Sequence, residues 1–289
     1  MKQLNLFIEL TRLKKPIGFM LLFWPCAWGL TLAYDFSNTL SNYFFYLSLF
    51  FLGSVLMRSA GCIINDISDK KFDKKVERTK NRPIASDKIS VRLGFIYTSF
   101  LCFFSLLVLL NFNTFTIIMA LGSMPLAFSY PLMKRYTYWP QLFLGITFNY
   151  GLILGWTSIK SGLDIIPFIL YFGAIFWTLG FDTIYGFQDI KDDEIIGIKS
   201  TSIKFKKKPN LFLISCYLLF ILALIIIGLC MNFNYVFYYF MLIPIFHLLY
   251  YQIYNFNSKD PKSCFKIFKS NNFLGLLVFV NLLIGKILI

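Results

Sequence analysis

Two acidic strings carry most of the chemistry that this sequence could perform. The first is Asn65-Asp66-Ile67-Ser68-Asp69-Lys70-Lys71-Phe72-Asp73. On a helix, Asn65, Asp69 and Asp73 are four residues apart and share one face. That face presents an amide oxygen and two carboxylates, which repel one another unless a cation sits among them. Hard oxygen donors that leave coordination positions open to water and phosphate suit Mg²⁺. Asp66 belongs to the same candidate metal set. Taken alone, the string also reads as a solvated loop of mixed charge, since Lys70, Lys71, Lys74 and Lys75 surround it.

The second string runs from Asp182 through Tyr185, Gln188 and Asp189 to Asp193. Its spacing predicts one helical stripe of Asp182, Tyr185 or Gly186, Asp189 and Asp193. Asp182 closes an apolar run, where an ionisable residue is costly and usually functional. Two carboxylate stripes on one membrane face could hold divalent ions bridging a diphosphate. The ions would neutralise the leaving group as a carbon–oxygen bond breaks. The pair of strings is far more specific than either one.

Basic residues flank both strings: Arg78, Lys80 and Arg82 near the first, Lys199 near the second. Arginine suits bidentate contact with phosphate oxygens, although loop charges that set topology would look the same. Arg58 differs because it interrupts an apolar helix and needs an anionic partner, either a substrate or a motif aspartate. Arg12 and Arg135 fall at the interface, where long side chains can snorkel. His247 has no partner at metal-ligand spacing and reads as a packed residue. The six cysteines are scattered singly, with neither a disulfide framework nor a metal pattern.

The elements that must position these residues are membrane helices. The 289 residues are 57% hydrophobic and 20% aromatic, and a soluble domain of this size rarely carries so little charge. Windows free of Asp, Glu, Lys and Arg run 16–34, 36–57, 93–133, 136–159, 165–181, 209–258 and 270–285. A span needs roughly 20 apolar residues, so two windows are too long for one helix. They split at Asn111-Phe-Asn-Thr and Asn232-Phe-Asn, which predicts nine transmembrane helices and no soluble domain. No small-x-small cleavage site follows the first apolar run, so it is expected to be retained.

Segments 1–15, 63–92, 134–135, 185–208 and 255–269 hold 25 of the 28 Lys and Arg residues. They fall on one side of the membrane, which the positive-inside rule makes cytoplasmic. The amino terminus is then cytoplasmic and the carboxyl terminus on the far side. The net charge of +14 is thus a topology signal with some attraction for anionic lipid, and nucleic acid is a poor explanation for it.

Several strings together resemble the UbiA-type membrane prenyltransferases over nearly the whole chain. They are Arg12-Leu-Lys-Lys-Pro16, Trp24-Pro25, Arg58-Ser-Ala-Gly61-Cys62, Asn65-Asp66-x-x-Asp69-x-x-x-Asp73 and Arg78-Thr-Lys-Asn-Arg82-Pro83. Tyr130-Pro131-Leu-Met-Lys134-Arg135-Tyr-Thr, Asp182-x-x-Tyr185-x-x-Gln188-Asp189-x-x-x-Asp193 and Gly197-Ile-Lys199-Ser-Thr complete the set. The tyrosine-proline and Asp-Thr-x-Tyr strings narrow the match toward the 4-hydroxybenzoate branch.

The resemblance implies an all-α integral membrane protein, residues 1–289 forming a single domain of nine helices around a central cavity open to lipid. It implies Mg²⁺ held by Asn65, Asp66, Asp69, Asp73, Asp189 and Asp193, with polyprenyl diphosphate and 4-hydroxybenzoate as substrates. The prenyl group joins the ring carbon ortho to the hydroxyl, a step of ubiquinone biosynthesis in a bacterial inner membrane. Arg12, Arg78, Arg82, Tyr130, Lys134, Tyr185 and Lys199 are expected at the substrates. Arg135, ahead of Arg58, is expected to grip the benzoate carboxylate, and Asp182 to steady the phenol or take the proton. The rivals are prenylation of homogentisate, a naphthoate or haem, and, from another class, a transporter with midplane charges.

Reporter fusions after residues 75, 200 and 262 should report cytoplasm, and fusions near 38, 162 and the carboxyl terminus the far side. A cytoplasmic carboxyl terminus would mean one span was counted wrongly.

Overall fold

A computed structural model of the chain describes residues 2–288, all of whose regular structure is helical. A short amphipathic helix, α1 (Lys2–Thr11), precedes α2 (Ile17–Ala33) and the long α3 (Leu40–Asp73). Next come α4 (Val91–Leu109), α5 (Thr114–Gly122), α6 (Met124–Ser129) and a 3-10 turn at Tyr130–Arg135. Then follow α7 (Pro140–Lys160), α8 (Ile165–Gly186) and two short helices, α9 (Ile190–Ile196) and α10 (Thr201–Lys204). The chain closes with α11 (Pro209–Cys230), α12 (Tyr235–Phe246), a π-helical segment (His247–Gln252), α13 (Ile253–Asn255) and α14 (Pro261–Ile287).

Among the described residues, eight helical stretches are long and apolar enough to cross a membrane. The ninth expected span, α2, is apolar but only 17 residues long. Both predicted splits of the long apolar windows are real. Asn113 accepts from the Thr116 N–H at the start of α5, and Asn234 accepts from the Val236 N–H at the start of α12. Each also donates its side-chain amide to a distant part of the chain, Asn113 to the Thr157 carbonyl on α7 and Asn234 to the Leu288 carbonyl after α14. The polar breaks are therefore helix caps.

At 1.5 Å per residue, the 34 residues of α3 make a rod of about 51 Å, against a hydrocarbon layer of about 30 Å. Its last turns, with Asp66, Asp69 and Asp73, must clear the lipid. The large side chains on α4 (Phe95, Phe100, Phe103) and α11 (Leu211, Leu218, Leu222) are exposed and face the bilayer.

The core lies where α2, α7, α8, α11 and α14 pack. Trp28, Trp177 and Phe220 stack there, with Trp28 and Trp177 ring centroids 5.0 Å apart. Their polar edges are satisfied inside the bundle, as lipid demands. Trp177 Nε1 donates to Asn271 at 2.8 Å, and Gln252 Nε2 donates to the same oxygen at 3.0 Å. Tyr217 donates to Gln252 at 2.7 Å. Lone His247 is buried beside this group, a packed residue as the sequence suggests. The widened turn it opens follows Pro244, whose ring leaves a backbone bond unmade.

Helices α2 and α7 approach backbone to backbone. A Cβ added at Gly155 would lie 2.3 Å from the Cys26 carbonyl oxygen and 2.6 Å from the Leu30 nitrogen. Gly155→Val should therefore cost about 3 kcal/mol or more and lower the thermal midpoint of detergent-solubilised protein sharply. Gly122→Ala, where a Cβ meets nothing within 4 Å, should leave it unchanged.

Candidate functional site

The end of α3 delivers the first string as the spacing predicts. Asp66, Asp69 and Asp73 are buried on one face and Asn65 is half-buried beside them. The second string departs from the expected single stripe. Helix α8 stops at Gly186, the chain turns through Phe187 and Gln188, and Asp189 starts α9. Close packing requires the glycine at this end: a Cβ at Gly186 would fall 2.3 Å from the Ser202 hydroxyl. Asp182 stays on the spanning helix, while Asp189 and Asp193 sit one short helix further, at the mouth.

Every one of these carboxylates except Asp182 and Asp193 has a basic partner. Arg12 Nη2 donates to Asp66 at 2.5 Å, and Arg82 Nη1 bridges Asp66 at 3.2 Å and Asp73 at 2.9 Å. Lys134 pairs with Asp69. Arg78 grips Asp189 with two nitrogens, Nε at 2.8 Å and Nη2, while Nη1 donates to the Tyr185 hydroxyl at 3.1 Å. Arg12 has a positive φ of 56°, a left-handed conformation that a non-glycine residue keeps only when its surroundings insist. Arg12 directly follows the end of α1, where the chain leaves the helix. Asp69 keeps its other oxygen, Oδ1, buried without a partner. Burial and the charge of Asp189 push the Asp193 carboxyl up to about 7.

The segment after α6 ties the two strings together. Lys134 lies close enough to feel both Asp69 and Asp193. Arg135 is exposed and donates to the Ser68 carbonyl at 2.7 Å, with its guanidinium over the Phe72 ring. On the other side, the Lys199 N–H donates to the Lys134 carbonyl at 2.9 Å, and Lys199 Nζ reaches the Tyr136 carbonyl at 3.2 Å. Arg135 and Lys199 thus brace Lys134. A further strut holds the 74–90 loop, where Lys70 and Lys74 each meet Asp87 at 2.6 Å. Those bonds draw its carboxyl down to about 2.

Below the mouth, α2 to α7 enclose an apolar cavity of about 210 Å³. Phe50, Leu109 and Phe112 line its far end, and Arg58 and Tyr130 line its polar end. Arg58 lies over the face of Phe148 at 5.2 Å, and its Nε is buried without a partner. Cys62, Tyr130 and Asp182 surround it within charge range. The walls come from α4 (Cys102, Ser105, Val108) and from α5 and α6 (Ala120, Ser123, Met124). Helix α4 packs on α3, while α5 and α6 pack on α7.

Two contributors escaped the sequence reading. Phe268 on α14 packs on Tyr185 with centroids 4.4 Å apart, and the apolar cavity wall has no motif. A phenylalanine among 35 carries no signal of its own.

The model of the UbiA prenyltransferase family matches residues 22–282. The chain is 41% identical over 287 residues to the mitochondrial 4-hydroxybenzoate polyprenyltransferase of Rattus norvegicus, covering 99% of this chain and 76% of the relative. It is 40% identical to 4-hydroxybenzoate geranyltransferase 1 of Lithospermum erythrorhizon, covering 99% and 92%. In fold it is similar to the apo structure of a UbiA homolog from Aeropyrum pernix, with a TM-score of 0.74, 20% identity and coverage of 94% and 98%. A UbiA homolog from Archaeoglobus fulgidus bound to GPP and Mg²⁺ superposes with a TM-score of 0.71 at 17% identity, covering 96% and 99%. With its fold, its paired aspartate strings and these relatives in agreement, the chain belongs to the UbiA prenyltransferase family.

Proposed function

We propose that the protein transfers a polyprenyl group from polyprenyl diphosphate to the ring carbon ortho to the hydroxyl of 4-hydroxybenzoate, a step of ubiquinone biosynthesis. One observation carries this reading: a mouth of carboxylates and basic residues opens directly above an apolar cavity that holds an arginine. The mouth suits a diphosphate, the cavity a prenyl chain, and Arg58 a small acid between them. A transporter would need its charges near the bilayer midplane, whereas these strings lie at one interface. We read the whole chain as one such domain, with its basic side toward the cytoplasm or its organellar equivalent.

The donors fit Mg²⁺. They are all oxygens, from Asn65, Asp66, Asp69, Asp73, Asp189 and Asp193. Asp69 offers a buried oxygen with no other partner, and Asp193 resists ionising beside Asp189 without added positive charge. Among the described residues no three acidic, histidine or cysteine side chains form a ready-made cage. That suits an ion which shares its shell with water and substrate phosphate. Bound there, Mg²⁺ supplies charge neutralisation on the departing diphosphate.

The chain's own groups do the rest. Arg12, Arg78, Arg82 and Lys134 take up diphosphate charge, Tyr185 orients Arg78, and Lys199 and Arg135 brace the segment that carries Lys134. Arg58 grips the benzoate carboxylate beside Tyr130. This assignment reverses the expected order, because Arg135 is exposed and engaged with the Ser68 carbonyl. Asp182, in charge range of Arg58, steadies the phenol or accepts the ring proton.

Asp69→Asn and Asp189→Asn should each abolish turnover while the protein still inserts and purifies normally. EDTA should silence the wild type and Mg²⁺ restore it, read as diphosphate release from solubilised protein. Near-normal activity of either variant at moderate Mg²⁺ would remove the metal assignment.

A charged hydrogen bond is worth about 1.5–3 kcal/mol, roughly one to two decades in affinity. Arg58→Ala should therefore raise the KM for 4-hydroxybenzoate by that factor and barely move the KM for prenyl diphosphate. Arg135→Ala should do much less to either. The reverse pattern would return the carboxylate to Arg135.

A further inference from the structure

The basic residues at the mouth hold the carboxylates that a cation would need. Asp66 and Asp73 share Arg82, Asp66 also takes Arg12, Asp69 takes Lys134, and Asp189 takes Arg78. These partners come from three separate stretches of chain: the turn after α1, the 74–90 loop and the 3-10 turn. These four carboxylates are thus each paired internally, and none of them is free to turn both oxygens to an ion.

Arg78 is the clearest case. It reaches from the 74–90 loop across to Asp189 and Tyr185, spanning the opening between the two strings. Its guanidinium also lies over the Tyr185 ring at 5.4 Å. Asp189 is largely buried, while Arg78 is 40% exposed, so the arginine is the partner with room to move.

We propose that Mg²⁺ and the diphosphate bind by an exchange of partners. The diphosphate draws Arg78 and Lys134 off Asp189 and Asp69, and the freed carboxylates then take the cation. Each ligand supplies the charge that the other displaces, so binding of either tightens the other by the same factor. Free Mg²⁺ alone must compete with Arg78 and Lys134 and is held weakly. No covalent bond changes in this step. The inference rests on the proposed metal and diphosphate reading and adds its binding order: neither ligand loads the mouth efficiently alone.

Simple chelation of Mg²⁺ by the diphosphate would also couple the two ligands, so the decisive measurement is the cation alone. Purified wild type, Arg78→Gln and Lys134→Gln would be titrated in nanodiscs by calorimetry with Mg²⁺, with geranyl thiolodiphosphate, and with each in the presence of the other. Exchange predicts that Arg78→Gln binds Mg²⁺ alone about five- to tenfold tighter than wild type, the range for a partly exposed bidentate pair. It predicts weaker thiolodiphosphate binding and a smaller coupling factor in the same variant. Lys134→Gln should follow the same pattern, which keeps the test available if one variant fails to fold. Unchanged or weaker Mg²⁺ binding in both folded variants, with coupling intact, would overturn the exchange while leaving the metal site standing. No Mg²⁺ binding to any protein, with or without thiolodiphosphate, would overturn the metal reading and the exchange together.

Discussion

Carboxylates held at the edge of a hydrocarbon layer must be neutralised, and much of this protein is arranged around that requirement. The cost of an unpaired buried charge is several kcal/mol. Here the cost is met by cations drawn from distant parts of the chain, and those pairs assemble the mouth. Arg12 ties the amphipathic α1 to α3, Arg82 folds the 74–90 loop back on the same helix, and Lys134 fastens the 3-10 turn. Arg78 then links the first half of the chain to the second. The same residues that hold the fold together at this surface are thus the ones that a diphosphate would recruit.

Much of this was legible in the sequence, for physical reasons. Charge-free windows mark spans because lipid excludes charge, and the paired asparagines at the breaks are caps because backbone N–H groups at a helix start need acceptors. The face shared by Asp69 and Asp73 followed from helical period alone. Other features depend on packing between distant residues and leave no local trace. The break after Gly186 leaves no mark on the periodicity, which predicts a continuous second stripe. Sequence alone separates Arg58 from Arg135 poorly for a similar reason. Both are arginines near an apolar run, and only the cavity and the Ser68 carbonyl distinguish them. The first span, at 17 residues, sits at the margin of what composition can assign.

The two halves of the molecule solve different problems. On the side of α8, α11 and α14, aromatic rings and a closed group of amide and hydroxyl side chains leave little room to adjust. The cavity lies on the side of α3 to α6. A closely packed half beside one that holds the cavity would suit the proposed site, which must keep its charges in register while admitting a flexible chain.

The length of α3 has one more consequence. Because an unbroken helix carries both Arg58 and Asp69, the axial interval between cavity and mouth is set by helical rise at about 16 Å. Eleven residues also bring the two side chains back to nearly the same azimuth, within about 20°. Helix α3 is therefore a ruler. Loops around it can lengthen or shorten without altering that interval. A single residue inserted between Arg58 and Asp69, however, would turn one end by about 100° relative to the other. The separation between Arg58 in the cavity and Asp69 at the mouth is consequently among the least adjustable dimensions of the protein.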